Sequence, residues 1–176
     1  MRKLSAFIVL ALASVSFGAD TADAVLTKAR AEAKASGKNV LVVFHASWCG
    51  WCHRFDKFVD TTEEGKLVKS GLVVTHLTVL ENGAKKSEEN AGGLEKMVEW
   101  GGKDAGLPFM AILDAKTGKL IVNSLQKAGD ARTNTGYPAA PEEISHFLVM
   151  LQKGAKKISK ENVGKIGAWL TANAPK

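Results

Sequence analysis

The sequence predicts an α/β domain, a central sheet flanked by helices with an extra helix at its C-terminal end. Three observations carry that expectation. Val40-Leu41-Val42-Val43-Phe44 is an unbroken β-branched and aromatic run, the pattern of a strand buried on both faces. Segments with apolar residues three and four apart lie on both sides of it. Finally, a chain of 176 residues, 45% hydrophobic and 24% charged, has the size and composition of one globular domain. A disordered chain, a collagen-like repeat and a cystine-rich miniprotein are excluded on the same numbers.

Taken in order, Ala22, Val25, Leu26, Ala29 and Ala33 give a first helix from Asp20 to Ser36, with Gly37 as its stop. The buried strand Val40 to Phe44 follows. Cys52, Phe55 and Val59, with Phe58 alongside, resume helical spacing, and Thr61 with Glu64 forms a capping box for a continuation through Leu67 and Val68. Gly71 opens a second strand, Leu72 to Leu80, and Glu81 to Gly93 is polar and glycine-containing, hence a surface loop. Leu94, Met97 and Val98 mark a short helix that Gly101-Gly102 ends. Phe109 to Leu113 and Lys119 to Asn123 read as paired strands around the Asp114 to Gly118 turn. After an irregular stretch from Ala128 to Ala140, Pro141 at the first helical position starts a helix carrying Ile144, Phe147, Leu148 and Leu151. Val163, Ile166, Trp169 and Leu170 mark a last, basic amphipathic helix. The expected organisation is one domain over residues 19–176, with a core at about 22–151 and a helical extension over 156–174.

Residues 1–18 read as a secretory leader. Arg2 and Lys3 precede the uncharged, mostly apolar stretch Leu4 to Phe17, and Ser16 and Gly18 place small residues at −3 and −1 of a cleavage site after Gly18. The stretch is short for a membrane span of about 20 residues, so export to the periplasm or the medium is expected. Arg2 and Lys3 supply two charges of the formal net +6. The remaining lysines are scattered, without the dense basic patch and interleaved aromatics that nucleic-acid binding requires. No nucleic-acid partner is expected.

A chain of this length buries about two-thirds of its unfolded surface and needs no covalent staple. Its two cysteines therefore need another explanation. They stand as Cys49-Gly50-Trp51-Cys52, where the buried strand runs into a helix. At such a junction the first cysteine meets outward-pointing amides and the positive end of the helix dipole, which favour thiolate. Cys49 is thus the candidate nucleophile of disulfide exchange, and Cys52, one turn further on, the resolving thiol. Gly50 admits a substrate chain, and Trp48 and Trp51 put apolar surface around the sulfur. A structural disulfide closing so small a loop would contribute only about 2 kcal/mol. A zinc site would need about four ligands, and only four dispersed histidines remain; no metal site is expected. With His53, the motif is also C-x-x-C-H, the c-type haem attachment pattern, with His53 as proximal ligand and Met97 or Met110 as distal ligand. The all-apolar strand before the motif suits a redox dithiol better. A binding module without turnover, a chaperone or metallochaperone holding copper or a client through Cys49, Cys52 and a histidine, is the non-enzymatic alternative.

The stretch from Val40 to Val59, with Trp48-Cys49-Gly50-Trp51-Cys52, resembles a thioredoxin-family active site, and Gly106-Leu107-Pro108-Phe109 resembles the family's cis-proline segment. The resemblance covers roughly Ala22 to Leu151. It implies a thioredoxin-like fold with a central mixed sheet, a redox-active Cys49–Cys52 disulfide without other cofactors, and substrate contacts at Trp48, Gly50, Trp51, Leu107 and Pro108. The family's buried aspartate, six residues before the first cysteine, is here Val43, and the lysine that pairs with it is replaced by His76. His45, His53 and His76 are the candidates for the missing proton relay, since imidazole titrates in the right range. The longer loops, Glu81 to Gly93 and Asn134 to Pro138, resemble those of exported bacterial thioredoxin-like proteins with a W-C-x-W-C-H site, and Tyr137 is a candidate lining residue of the substrate groove. No cation lies between the cysteines, which points to a reductase or isomerase rather than a strong oxidase. A monomer acting on exported disulfide-containing proteins and recharged by a membrane electron donor is the expectation.

Overall fold

The structure, a computed structural model, describes residues 19–175; the expected leader and its cleavage site at Gly18 lie outside the described residues. Four strands form one sheet in the order β2-β1-β3-β4: β1 (Asn39–His45), β2 (Leu72–Thr78), β3 (Phe109–Leu113) and β4 (Leu120–Asn123). β1 pairs parallel with β2 and antiparallel with β3, and β3 pairs antiparallel with β4, so the sheet is mixed as expected. Six α-helices cover it: α1 (Ala22–Ser36), α2 (Gly50–Thr61), α3 (Glu63–Gly71), α4 (Gly93–Glu99), α5 (Pro141–Gly154) and α6 (Lys160–Ala172). Among the described residues no helix is long and apolar enough to cross a membrane.

The pleat of β1 sorts its side chains between two cores. Val40, Val42 and Phe44 join Leu26, Ala29 and Ala33 of α1 and Met97 and Trp100 at α4. Leu41 and Val43 face the other way, against Phe55, Phe58 and Val59 of α2, Phe147 and Met150 of α5, and Ile166 and Leu170 of α6. Val40 through Phe44 are all fully buried, which is why this run carries no alternation. The extension anticipated at 156–174 is α6, packed on α3 and α5 and closing the second core.

Several boundaries differ from expectation for local reasons. The cap of α3 is Thr62, not Thr61. Thr62 has extended dihedrals, its Oγ1 accepts from Gly65 N at 2.9 Å, and Thr61 stays helical with its hydroxyl donating to Lys57 O. Glu64 therefore falls outside a capping box, and Gly65 occupies the position opposite the cap. Gly71 ends α3 rather than opening β2, which begins at Leu72 without a linker and stops at Thr78. The 81–93 loop is not featureless: Gly83–Glu88 winds into a 3₁₀ turn, as does Ala131–Thr133 in the later loop. The anticipated α1 start moves from Asp20 to Ala22, because Thr21 caps it through Ala24 N.

Gly65 marks a close approach between α2 and α3. A Cβ there would sit 2.1 Å from the Phe58 carbonyl oxygen and 2.7 Å from Val59 Cα, both backbone atoms that cannot turn aside. Gly65→Ala is expected to destabilise the fold by about 2–3 kcal/mol, as overpacking against backbone does. Urea unfolding of the two proteins checks this, and an unchanged midpoint would refute the close α2–α3 seam.

Candidate redox site

β1 delivers the chain to one rigid exit at His45, and Ala46-Ser47-Trp48 carries it to Cys49, the N-cap of α2. Cys49 has extended dihedrals and its Sγ accepts from Cys52 N at 3.2 Å, so the sulfur occupies the place of a capping oxygen. An electron-rich sulfur there is stabilised by free amides and the helix dipole together. Cys49 and Cys52 are joined as a disulfide with their Cα atoms 5.3 Å apart. Cys49 retains 4% exposure and Cys52 none, which makes Cys49 the sulfur a partner can reach. Trp48 and Trp51 flank it, about half exposed, and Gly50 is open above.

Leu107-Pro108 carries the cis peptide bond expected at this place, and Leu107 packs on the small cluster of Ala46, Cys49 and Cys52. Asn134 holds that segment from behind, its Nδ2 donating to Gly106 O at 2.8 Å and to Pro108 O at 3.1 Å. Tyr137 is buried, with its ring stacked on Trp51 at 5.9 Å between centroids. Trp51, Leu107, Asn134, Gly136 and Tyr137 line one groove beside the disulfide. Of the expected substrate contacts, Trp51 and Leu107 therefore share a cleft. Pro108 is buried beneath it, and Trp48 stands on the opposite side with its Nε1 donating to Leu80 O.

The 81–93 loop acts as a clamp on the approach to Cys49. Glu81 is 3% exposed. Its carboxylate accepts from Ser47 N at 2.5 Å and from Ser47 Oγ at 2.8 Å, and its own N–H donates to the Glu89 carboxylate. Burial pushes the Glu81 carboxyl up, but the two Ser47 hydrogen bonds outweigh it and hold the group below its ordinary value. His53 caps the same turn from α2, 2.8 Å from Ser47 O.

The histidines divide. His76 stands opposite Val43 in the β1–β2 register, where the replaced lysine was expected. His45 and His76 lie ring to ring at 4.9 Å, and His76 Nε2 is 2.8 Å from Asp56 Oδ1. His45 Nε2 meets Thr78 Oγ1 at 3.1 Å. Burial, then the neighbouring His76, hold the His45 imidazole below its ordinary value. The Asp56 carboxyl feels burial first, yet the hydrogen bond and charge of His76 carry it below the carboxylate range. His53 is exposed on α2 and bonds to Ser47 O. The haem ligand set is not assembled: Met97 is in the α1/α4 core, Met110 in the opposite one, and both are fully packed away from His53.

Three site residues escape a motif reading. Asp56 is one helical turn beyond Cys52 on the same face, a spacing visible in the sequence. Glu81 and Asn134 reach the site only through loop closure, for which the sequence holds no local signal.

The thioredoxin-like family model matches residues 21–115. The chain belongs to the thioredoxin-like family. Over 108 residues, 59% of its length, it is 32% identical to the thiol:disulfide interchange protein DsbD of Vibrio cholerae serotype O1, but it spans only 18% of that protein. A disulphide isomerase from Xylella fastidiosa Temecula1 shares the fold at a TM-score of 0.50 and 22% identity, over 92% of this chain and 99% of that one. A thioredoxin from Thermus thermophilus aligns at a TM-score of 0.44 and 20% identity, over 78% and 86%. Cys49 and Cys52, joined as a disulfide in a C-x-x-C motif, lie within the residues that the family model matches.

Removing the clamp should loosen the turn before Cys49. Glu81→Ala leaves the Ser47 N–H and hydroxyl without their partner, and a loss of about 2 kcal/mol is expected. Since the folded-state carboxyl lies below its ordinary 4.5, its contribution is full above that pH and disappears as pH falls through the folded value. The stability gap between native and variant should accordingly close as pH drops below 4.5 in urea melts; a gap that widens in acid contradicts this.

Proposed function

We propose that this chain is an exported thiol-disulfide oxidoreductase that reduces or isomerises protein disulfides through Cys49. The observation that carries the reading is the capped sulfur: Cys49 alone is both reachable and held at the N-terminus of α2, with Cys52 N donating to it. In the reducing direction the Cys49 thiolate attacks a substrate disulfide, forming a mixed disulfide and releasing one substrate thiolate. Cys52 then gives up its proton and attacks Cys49 Sγ, expelling the second substrate thiolate. The protein ends as the Cys49–Cys52 disulfide, two electrons having passed to the substrate. A membrane dithiol donor reverses that last step to recharge the site. The reading of residues 1–18 as a leader supports a reaction in the periplasm or the medium.

Cys52 is fully buried among Ala46, Cys49 and Leu107, so its proton needs a polar exit. His45, His76 and Asp56 form the candidate path, with Asp56 on α2 one helical turn beyond Cys52 and bound to His76. Substrate backbone is expected along Leu107-Pro108, with Trp48, Gly50 and Trp51 at the rim.

Two experiments test the roles. Cys49→Ser should abolish reduction of an insulin-type disulfide, while Cys52→Ser should accumulate a mixed disulfide with its substrate, resolved on a non-reducing gel. Activity surviving in Cys49→Ser reverses the assignment. Equilibration with glutathione should give a potential well below the roughly −120 mV of a strong oxidase. For the relay, the Asp56 charge raises the His45 proton affinity. If neutral imidazole accepts the Cys52 proton, the rate of mixed-disulfide resolution climbs as His45 deprotonates. Asp56→Asn should then move that acid limb to lower pH, and a limb that stays in place or moves upward removes the trio from the reaction.

A further inference from the structure

The stacked Trp51 and Tyr137 rings are a partition. On one side lies the groove beside Leu107; on the other, between α2 and α6, lies a second groove of about 910 Å³ that the exchange chemistry does not use. We propose that this second groove seats an acidic, aromatic-bearing segment of the polypeptide whose disulfide is exchanged at Cys49. The inference rests on the redox reading above and names the chemistry of its partner.

Charge complementarity is the first support. Arg54 and Lys57 project from α2 into the groove, and among the described residues no carboxylate lines it. Among the described residues, neither cation stands within ion-pair distance of an acidic side chain. Arg54 is instead oriented by rings, its guanidinium carbon 5.4 Å from the Tyr137 centroid and 5.9 Å from that of Trp51. A guanidinium held this way keeps its planar fork free for a carboxylate. The contrast with the first groove is direct. Arg132 there is clamped by Asp130 through two 2.9 Å contacts, and Glu143 and Asp104 add negative charge.

The floor is the second support. Phe58 lies under Trp169 with ring centroids 5.1 Å apart, and Trp169 is only half-buried, so a planar face is left for an aromatic or aliphatic side chain. Trp169 and Tyr137 both fall outside the residues matched by the family model. The groove is thus a product of the appended α6 and the 128–140 loop.

Its position fixes where the acidic residue must be. Arg54 and Lys57 follow Cys49 along α2, so at about 1.5 Å per residue they stand roughly 7–12 Å from the sulfur along the helix. An extended chain covers that distance in about two to four residues. The preferred partner therefore carries Asp or Glu two to four residues from its exchanging cysteine.

Three disulfide peptides test this, alike in a single Phe and differing only in Asp-Asp, Asn-Asn or Lys-Lys at the third and fourth residues from cysteine. The pre-reduced protein should reduce the Asp peptide about tenfold faster than the Asn peptide at low salt, by second-order rate constant. The ratio should fall towards one in 1 M salt, where the Debye length is about 3 Å. Arg54→Gln with Lys57→Gln should bring the ratio within twofold, and reversal of both to Glu should favour the Lys peptide. A native ratio within twofold, or one that survives both variants, overturns the proposal. Bis(2-hydroxyethyl) disulfide separates the two readings. If the native protein reduces it yet shows no peptide preference, the groove fails and the redox reading stands. If it does not, the redox reading fails, and the groove is judged by tryptophan fluorescence titration with cysteine-free peptides. Binding of the Asp peptide tenfold tighter than the Lys peptide upholds it; equal binding removes it.

Discussion

The site depends on one constraint, the burial of every side chain of β1 from Val40 to Phe44. A strand packed on both faces cannot slide or flex without disturbing two cores, because a one-residue slip would exchange the faces of all its side chains. Its C-terminal end is therefore a fixed point, and Cys49 is four residues beyond it. The parallel neighbour β2 ends at Thr78 and turns through Leu80, which has a left-handed φ of 55°, to bring Glu81 under Ser47. The antiparallel neighbour β3 begins at Phe109 and so brings Leu107-Pro108 to the same end of the sheet. Three segments far apart in sequence meet at the dithiol because their strands are registered on β1.

Around that point the molecule separates apolar support from polar control. Ala46, Leu107 and the buried Cys52 give the disulfide a dry underside. The charged groups lie at the rim: Asp56 with His76 and His45 towards β2, Glu81 under the Ser47 turn, Arg54 over the paired rings. Each is held by a hydrogen bond or a ring contact, so the rim is ordered without any ion being placed in the core.

Much of this was legible in the sequence, for reasons that also explain what was not. Val40 to Phe44, the C-x-x-C junction and the helical spacing of Phe55 and Val59 are local patterns, and local patterns survive into the fold. Leu107-Pro108 was placed by its resemblance in order and context. Thr61 and Glu64 made a plausible capping box, yet the cap is Thr62, since the close approach of α3 to the Phe58 carbonyl demands glycine at residue 65. Glu81 read as the first residue of a polar loop, and nothing local distinguishes an exposed loop glutamate from one folded under Ser47. Asn134 likewise acts on a segment 26 residues away. Loop-borne side chains are settled by where the loop closes, which a periodicity cannot express.

The same separation bears on Val43, which stands where the resemblance implies a buried carboxylate. Val43 is wholly enclosed between α2 and α5, and an ion there would have to leave water for an apolar surround, which costs several kcal/mol unless it is paired. With valine, that core packs without compromise. Across the sheet, the β2 residue in register with Val43 is His76, partly exposed and bonded to Asp56, and the proposed relay runs through this pair. In the proposed relay a proton leaving Cys52 travels towards solvent and towards His45, whose imidazole is held below its ordinary value by burial and by the neighbouring His76.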